Sequence, residues 1–363
     1  MNFYRYQYSR KNLTSPHKLI TLFWFTWFCL IGFGQDSVSE ATSQGLFENE
    51  TALPVALEYS KKELRRKTDD TTYMASQLRY KTNSGSWDTL NVKLRSRGNF
   101  RKKTCYFTPL KLKIKKANSK STMFEGQKLL KVVMPCLNES GMNDNILKEY
   151  LIYKMYEIIS PYNFKTRLIE LDYSDLRNRK TKTYHFTGFL VEDDSKMAKR
   201  LDAKVAKRKV YPQGYDNLSA VRNAMFNYMV GNTDFSTTSS HNCKPIYKEQ
   251  KFIPVAYDFD LAGFVNTSYA IVSETRNEPL PIEKVTQRYY MGYKRDYNYF
   301  RQIRQEYLEK ESEILNMLEA HKTLFESQRC YGIAKDYIED FFEFVKDEKK
   351  FKQYTYDKAL PLQ

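Results

Sequence analysis

Residues 231–263 read GNTDFSTTSSHNCKPIYKEQKFIPVAYDFDLAG, and the fold and function expected of the whole chain hang on them. A Gly-Asn-Thr-Asp turn comes first, and Asn242 follows eight residues after Asp234. A basic, strand-like spacer then leads into an apolar run, Phe252 to Tyr257, that ends on Asp258-Phe259-Asp260. A carboxylate, an amide and a carboxylate closing a hydrophobic strand are hard oxygen ligands, the kind magnesium takes beside phosphate oxygens. Each piece alone is ordinary turn chemistry, because Asn and Asp favour turns and strand ends. Their order within one short stretch is what points to a metal-assisted site.

The chain has 363 residues, 41% of them hydrophobic, enough for a sizeable core and suited to two lobes. A formal net charge of +16 and a pI near 9.3 make a surface that attracts polyanions, anionic lipid or nucleotide phosphates. Nucleic acid is not an expected partner: the 29 tyrosines are scattered, with no aromatic cluster of the RNA-reading type and no Cys/His finger spacing. Four histidines without an HExxH or CxxC pattern give no zinc site.

Arg5, Arg10, Lys11 and Lys18 precede an uncharged run over residues 19–34, which reads as a secretory signal spanning 1–34. Contact with a membrane is expected only if that segment stays uncleaved as an anchor. A polar linker over 35–53 follows, and the rest is expected to be exported to a periplasmic, cell-surface or extracellular setting. In an oxidising compartment Cys105, Cys136, Cys243 and Cys330 allow up to two disulfides, with Cys105–Cys136 the local choice and free buried thiols the alternative.

From 54 to 192 the pattern is strand-rich. Ala56–Tyr59, Leu78–Lys81 and Trp87–Arg95 alternate at period two, which predicts an antiparallel meander with one buried face. Leu110, Leu112 and Ile114 alternate with Lys111, Lys113 and Lys115, so one face of that strand is a row of ammonium groups. A helix is expected over 145–159, capped by Asn143, Asp144 or Asn145 and stopped by Pro161, carrying Glu149 within reach of a facing strand lysine. A strand over 164–173 returns through 183–192. From 193 onward the reading is mainly helical: a lysine-rich helix over 196–209, a helix over 218–230 ending at Gly231, and amphipathic helices over 300–344.

These pieces together resemble the spore-coat CotH kinase family. The matching residues are Arg97-Gly98-Asn99 followed by a basic strand, the helix after it, Gly188-Phe189-Leu190-Val191-Glu192, Gly231-Asn232-Thr233-Asp234, and Tyr257-Asp258-Phe259-Asp260; the last two blocks also look like the catalytic and metal-binding segments of HipA-type kinases. The resemblance implies an α+β, two-lobed protein-kinase-like fold, with an antiparallel-sheet N-lobe over 54–192 and a mainly helical C-lobe over 193–363. It implies transfer of a phosphoryl group from ATP, with Mg2+ or Mn2+, to a hydroxyl of a Ser/Thr-rich protein. Asp234 would then orient or deprotonate the acceptor. Asn242 and Asp258 would hold the metal, with Asp260 beside them. Lys113 or Lys111 would touch the phosphates and pair with Glu149, and Glu192 would lie at the adenine-side hinge. The alternative expectation is a secreted pseudokinase or surface-binding module that turns its basic face to acidic polymers.

Overall fold

The strand-rich half closes on itself. The computed structural model describes residues 45–98, 104–177, 180–273 and 279–362; the expected signal segment lies outside them. Seven strands form a barrel: β1 (Leu53–Tyr59), β2 (Met74–Lys81), β3 (Trp87–Ser96), β4 (Leu110–Ile114), β5 (Leu129–Val133), β6 (Thr166–Asp175) and β7 (Lys182–Glu192). Their order is β1-β2-β3-β4-β5-β7-β6, and β6 returns to β1 in parallel register, from Leu53 opposite Ile169 to Tyr59 opposite Asp175. Every other pair in the barrel is antiparallel.

This corrects the expected architecture. The two-lobed kinase-like fold with an open antiparallel sheet does not hold, because the sheet is a closed barrel of mixed strand direction. The physical reason lies in β1, whose Leu53, Val55, Leu57 and Tyr59 all point inward. Pairing with both β2 and β6 covers both edges of that strand, which would otherwise expose a row of unpaired backbone groups. The interior is filled by alternate residues, among them Leu78, Leu94, Leu112, Leu130, Leu171 and Phe186, all nearly inaccessible to solvent.

On β6 and β7 the outward residues are apolar as well: Leu168, Phe189 and Val191 join a second core. That core is built by α3 (Met142–Ile159), α5 (Asn217–Met229), α6 (Tyr297–Ala320) and α7 (Gln328–Lys346), together with a small sheet of β8 (Lys204–Val205), β9 (Cys243–Lys248) and β10 (Lys251–Ala256) in the order β10-β9-β8. Shorter α-helices are α1 (Lys61–Lys67), α2 (Lys116–Ser119), α4 (Asp194–Arg200) and α8 (Glu348–Phe351), with 3-10 turns at Pro212–Gly214 and Lys322–Leu324 and a π turn at Lys352–Tyr356. No helix among the described residues is long and apolar enough to cross a membrane.

Two helices sit close to their sequence expectation, and one does not. The α5 helix starts on Asp216, whose carboxylate accepts from the Ser219 amide at 3.0 Å, and ends before Gly231 at φ +65°. The α3 helix begins earlier than expected, behind Gly141. Its cap candidate Asp144 instead accepts from the backbone amides of Glu326 and Ser327, at the start of α7. The lysine-rich segment forms a helix only over Asp194–Arg200; Asp202 turns at φ +51° and Lys204–Val205 pair with β9. Lysine spacing carried no apolar stripe there, so strand pairing wins.

Cys105 and Cys136 form a disulfide, whereas Cys243 and Cys330 are free. The bridge closes a separation of 31 residues, worth about 3–4 kcal/mol by loop-closure entropy. Replacing both cysteines with serine is expected to lower the melting temperature by about 5 °C, read by calorimetry.

Candidate functional site

The ends of the 231–263 stretch are locked together. The Gly263 amide donates to the Gly231 carbonyl at 3.0 Å, and a Cβ on Gly231 would sit 2.1 Å from the Tyr337 hydroxyl. Between them the Asp234–Asn242 spacing is taken up by a tight turn, closed by reciprocal backbone bonds between Ser236 and His241 at 2.9 and 3.0 Å. Asn242 is thereby folded back onto Asp234: its amide nitrogen donates to the Asp234 carbonyl at 2.7 Å and to Asp234 Oδ2 at 2.9 Å. Asp234 Oδ1 faces His241 Nε2 at 3.1 Å and accepts from the Ser273 hydroxyl at 3.2 Å.

Asp258 arrives from the next strand. The Tyr257 amide donates to the Asn242 carbonyl at 3.1 Å, so the end of β10 lies against the start of β9. The Tyr153 hydroxyl of α3 accepts from the Asp258 amide at 2.9 Å. Both Asn242 (φ +46°) and Asp258 (φ +65°) adopt left-handed backbone conformations, which cost little for Asn and Asp but are uncommon and concentrate at functional sites.

The electrostatics tie these groups together. His241 is raised above its ordinary value of 6.5, first by its hydrogen bond to Asp234 and further by the charges of Asp234 and Asp258. One imidazole therefore feels both carboxylates. Burial, with Glu149 and Asp258 nearby, pushes the Tyr153 phenol well up.

Asp260 turns elsewhere. With Phe259 driven into the core between them, Asp260 accepts from the Tyr269 hydroxyl at 3.2 Å and shares a cavity of about 20 Å³ with Glu149, room for a single water. Asn242 thus contacts Asp234 directly, the Asp258 charge acts on the same His241 imidazole, and Asp260 lines a separate small cavity with Glu149.

The expected lysine–glutamate pair is not formed as the sequence suggested. Lys111 Nζ meets Asp193 at 3.1 Å, Lys113 is exposed near the Tyr73 ring, and Glu149 is buried on α3. Glu192 is buried too, but Arg200 grips it at 2.8 Å and the Lys165 amide donates to it at 3.2 Å, so it ties the end of α4 back to β7.

Sequence reasoning missed Lys131, which lies against the ring of Tyr257, the residue before Asp258. Lys131, on β5 beside Lys111, lies 4.7 Å from the Tyr257 ring centroid and 4.8 Å from that of Phe164. Its ammonium reaches Asp194 Oδ1 at 2.7 Å, while Lys244 reaches Asp194 Oδ2 at 2.9 Å. Burial lowers the Lys131 pKa, and Arg97 adds to the effect, although Asp194 opposes it. Burial works against the charged form of Asp194, yet Lys131 and Lys244 outweigh it and hold its carboxyl below the usual range. Arg97 completes this basic corner: its charge acts on Tyr153, Tyr257 and Lys131, and among the described residues no carboxylate pairs with its guanidinium. The only advance signal was the Arg-Gly-Asn motif itself.

No family model, curated protein or solved structure matches the chain. The site must therefore be judged on its own chemistry. With its amide nitrogen committed to Asp234, Asn242 turns its oxygen away from that residue, and Asp258 supplies a carboxylate. Two hard oxygens suit magnesium, which keeps waters and phosphate oxygens for the rest of its shell. Among the described residues no three His, Cys, Asp or Glu side chains gather to hold a metal by themselves.

Proposed function

We propose that the protein is an exported phosphotransferase that moves the terminal phosphoryl group of ATP to a Ser or Thr hydroxyl of a protein. The observation that carries this reading is the convergence of Asp234, Asn242 and Asp258 at one end of the β9–β10 hairpin. The sequence resemblance to CotH kinases supports the same activity, and the Cys105–Cys136 bridge suits an oxidising compartment. The closed barrel departs from the fold that this resemblance implies, so the reading rests on the site and not on the fold.

Asp234 is the acceptor-side base. A serine hydroxyl already donates to its Oδ1, so the site accommodates that group. The acceptor oxygen bonds to the γ-phosphorus, the bridging P–O bond breaks with its electron pair leaving on ADP, and the hydroxyl proton passes to the Asp234 carboxylate. Lys131, Lys244 and Arg97 supply positive charge for the phosphates, the role first given to Lys111 or Lys113. Mg2+ or Mn2+, when bound by Asn242 and Asp258, would neutralise phosphate charge.

Purified protein with Mg2+ or Mn2+ and γ-labelled ATP is expected to label itself or a Ser/Thr-rich protein, and ATP is expected to raise its melting temperature. Absence of both effects discards the reading.

The pH dependence follows from His241. Protonated, it holds Asp234 in an ion pair and competes with proton uptake from the acceptor. The acid limb of kcat/KM is therefore expected to have its midpoint above 6.5, and His241→Gln to move that limb to lower pH. A raised folded pKa stabilises the fold fully below 6.5, and that contribution fades as pH rises through the raised value.

A second reading has an observation of its own. Lys61, Lys62, Arg65, Arg66 and Arg177 line a surface groove of about 660 Å³ with Asp175 as the acid among them, a place for an acidic polymer. Binding there is expected to weaken steeply with salt and to ignore Asp258→Asn.

A further inference from the structure

Three asparagines are buried in the helical core. Asn223 and Asn227 stand one turn apart on α5, and Asn232 follows the glycine that ends it; none is more than 1% exposed. Asparagine is a poor residue for a helix interior, and an amide is costly to bury without partners. Packing beside Met225, Phe226 and Met229 gives no reason for polar side chains at these positions.

The three side chains form a ladder. The Asp234 backbone amide donates to Asn232 Oδ1 at 3.0 Å, and Asn232 Nδ2 donates to Asn227 Oδ1 at 2.8 Å. Asn227 Nδ2 donates in turn to the Asn223 carbonyl at 2.9 Å and to Asn223 Oδ1 at 3.4 Å. Asn223 Nδ2 then reaches the Pro254 carbonyl and the Tyr156 hydroxyl, each at 3.4 Å, and that hydroxyl also accepts from the Ala256 amide at 3.4 Å. One end of the ladder is the turn that carries Asp234. The other is β10, the strand that leads to Asp258, whose own amide is taken by Tyr153 from the same helix as Tyr156.

We infer that Asn223, Asn227 and Asn232 are positioning residues, a buried ladder that fixes the turn bearing the acceptor-side base against the strand bearing the metal ligand. All three are too deeply buried to touch a nucleotide or an acceptor, so their effect runs through Asp234. Every amide oxygen and nitrogen in the ladder has a partner, and in such a network each bond constrains the next. Removing one rung frees the turn. A displacement of about 1 Å between reacting groups lowers a rate about a hundredfold.

This inference rests on Asp234 being the acceptor-side base, and the two can fail separately. In transfer assays Asn232→Ala is expected to lower kcat about a hundredfold with the KM for ATP unchanged. Asn232→Ser keeps a side-chain oxygen for the Asp234 amide and is expected to recover kcat to within about tenfold of wild type. Asn227→Leu, apolar and of similar size, is expected to show the same loss of kcat at constant KM, so the test survives an Asn232→Ala protein that does not fold. Hydrogen exchange needs no activity: the Asp234 amide is expected to exchange about fivefold faster in Asn232→Ala, the worth of one hydrogen bond, and to slow again in Asn232→Ser. An active wild type whose folded ladder variants keep their kcat, or raise the KM for ATP instead, overturns the ladder and leaves the phosphotransferase reading standing. Unchanged exchange in folded Asn232→Ala overturns the ladder as well. A wild type that transfers nothing, in which Asn232→Ala still speeds exchange, overturns the phosphotransferase reading and leaves the ladder as the device that holds the Asp234 turn.

Discussion

Asp258→Asn is expected to lower phosphoryl transfer by at least about a thousandfold while leaving the protein folded, the scale of loss seen when charge stabilisation of a phosphoryl transition state is removed. Asparagine is the informative substitution because residue 258 sits at φ +65°, a conformation that Asn adopts readily and that costs Ala about 1 kcal/mol. It keeps the backbone amide that donates to Tyr153 and removes only the negative charge. The measurement is initial rate of label transfer at saturating ATP and Mn2+, with melting temperature as the control. A variant that retains a tenth of wild-type activity removes Asp258 from the chemistry.

The second large effect is on stability. Asp194→Ala strips two ammonium groups of their shared carboxylate, and Lys131 has only 12% of its side chain exposed. Leaving buried charge uncompensated costs about 3 kcal/mol or more, so a fall of about 5 °C or more in melting temperature is expected. The sign with pH is definite. A depressed carboxyl stabilises the fold above its unfolded value of 3.8, and that contribution is lost only as pH falls through the lower folded value. The gap between wild type and variant should hold from neutral pH down to about pH 4 and close below it. If Lys131→Met added to Asp194→Ala fails to restore stability, the buried ammonium is not the cause.

Local pattern made much of this chain legible. Alternation along Trp87–Arg95 and Leu110–Ile114 matches the inward residues of β3 and β4, and the Gly231 stop of α5 is where the sequence put it. Barrel closure was not legible, because it depends on β1 meeting β6 across more than a hundred residues, and hydrophobic periodicity carries no information about partners. The same blindness explains the lysines. Alternation puts Lys111, Lys113 and Lys115 on one face, but which of them meets an acid depends on Asp193 and Asp194 arriving from beyond β7. Lys131 was hidden inside an apolar run, Leu129 to Met134, where a single charge reads as incidental. Asp258 and Asp260 looked equivalent in sequence; the burial of Phe259 between them sends them to different surroundings.

Everything functional in this account depends on Asn242 and Asp258 serving one cation next to Asp234. Anomalous diffraction from crystals grown with Mn2+ and a non-hydrolysable ATP analogue tests it directly. The expected result is a manganese peak in contact with both the Asn242 amide oxygen and the Asp258 carboxylate, and loss of that peak in Asp258→Asn. A peak at Asp260 and Glu149, or nucleotide bound with no metal at Asp258, would contradict it.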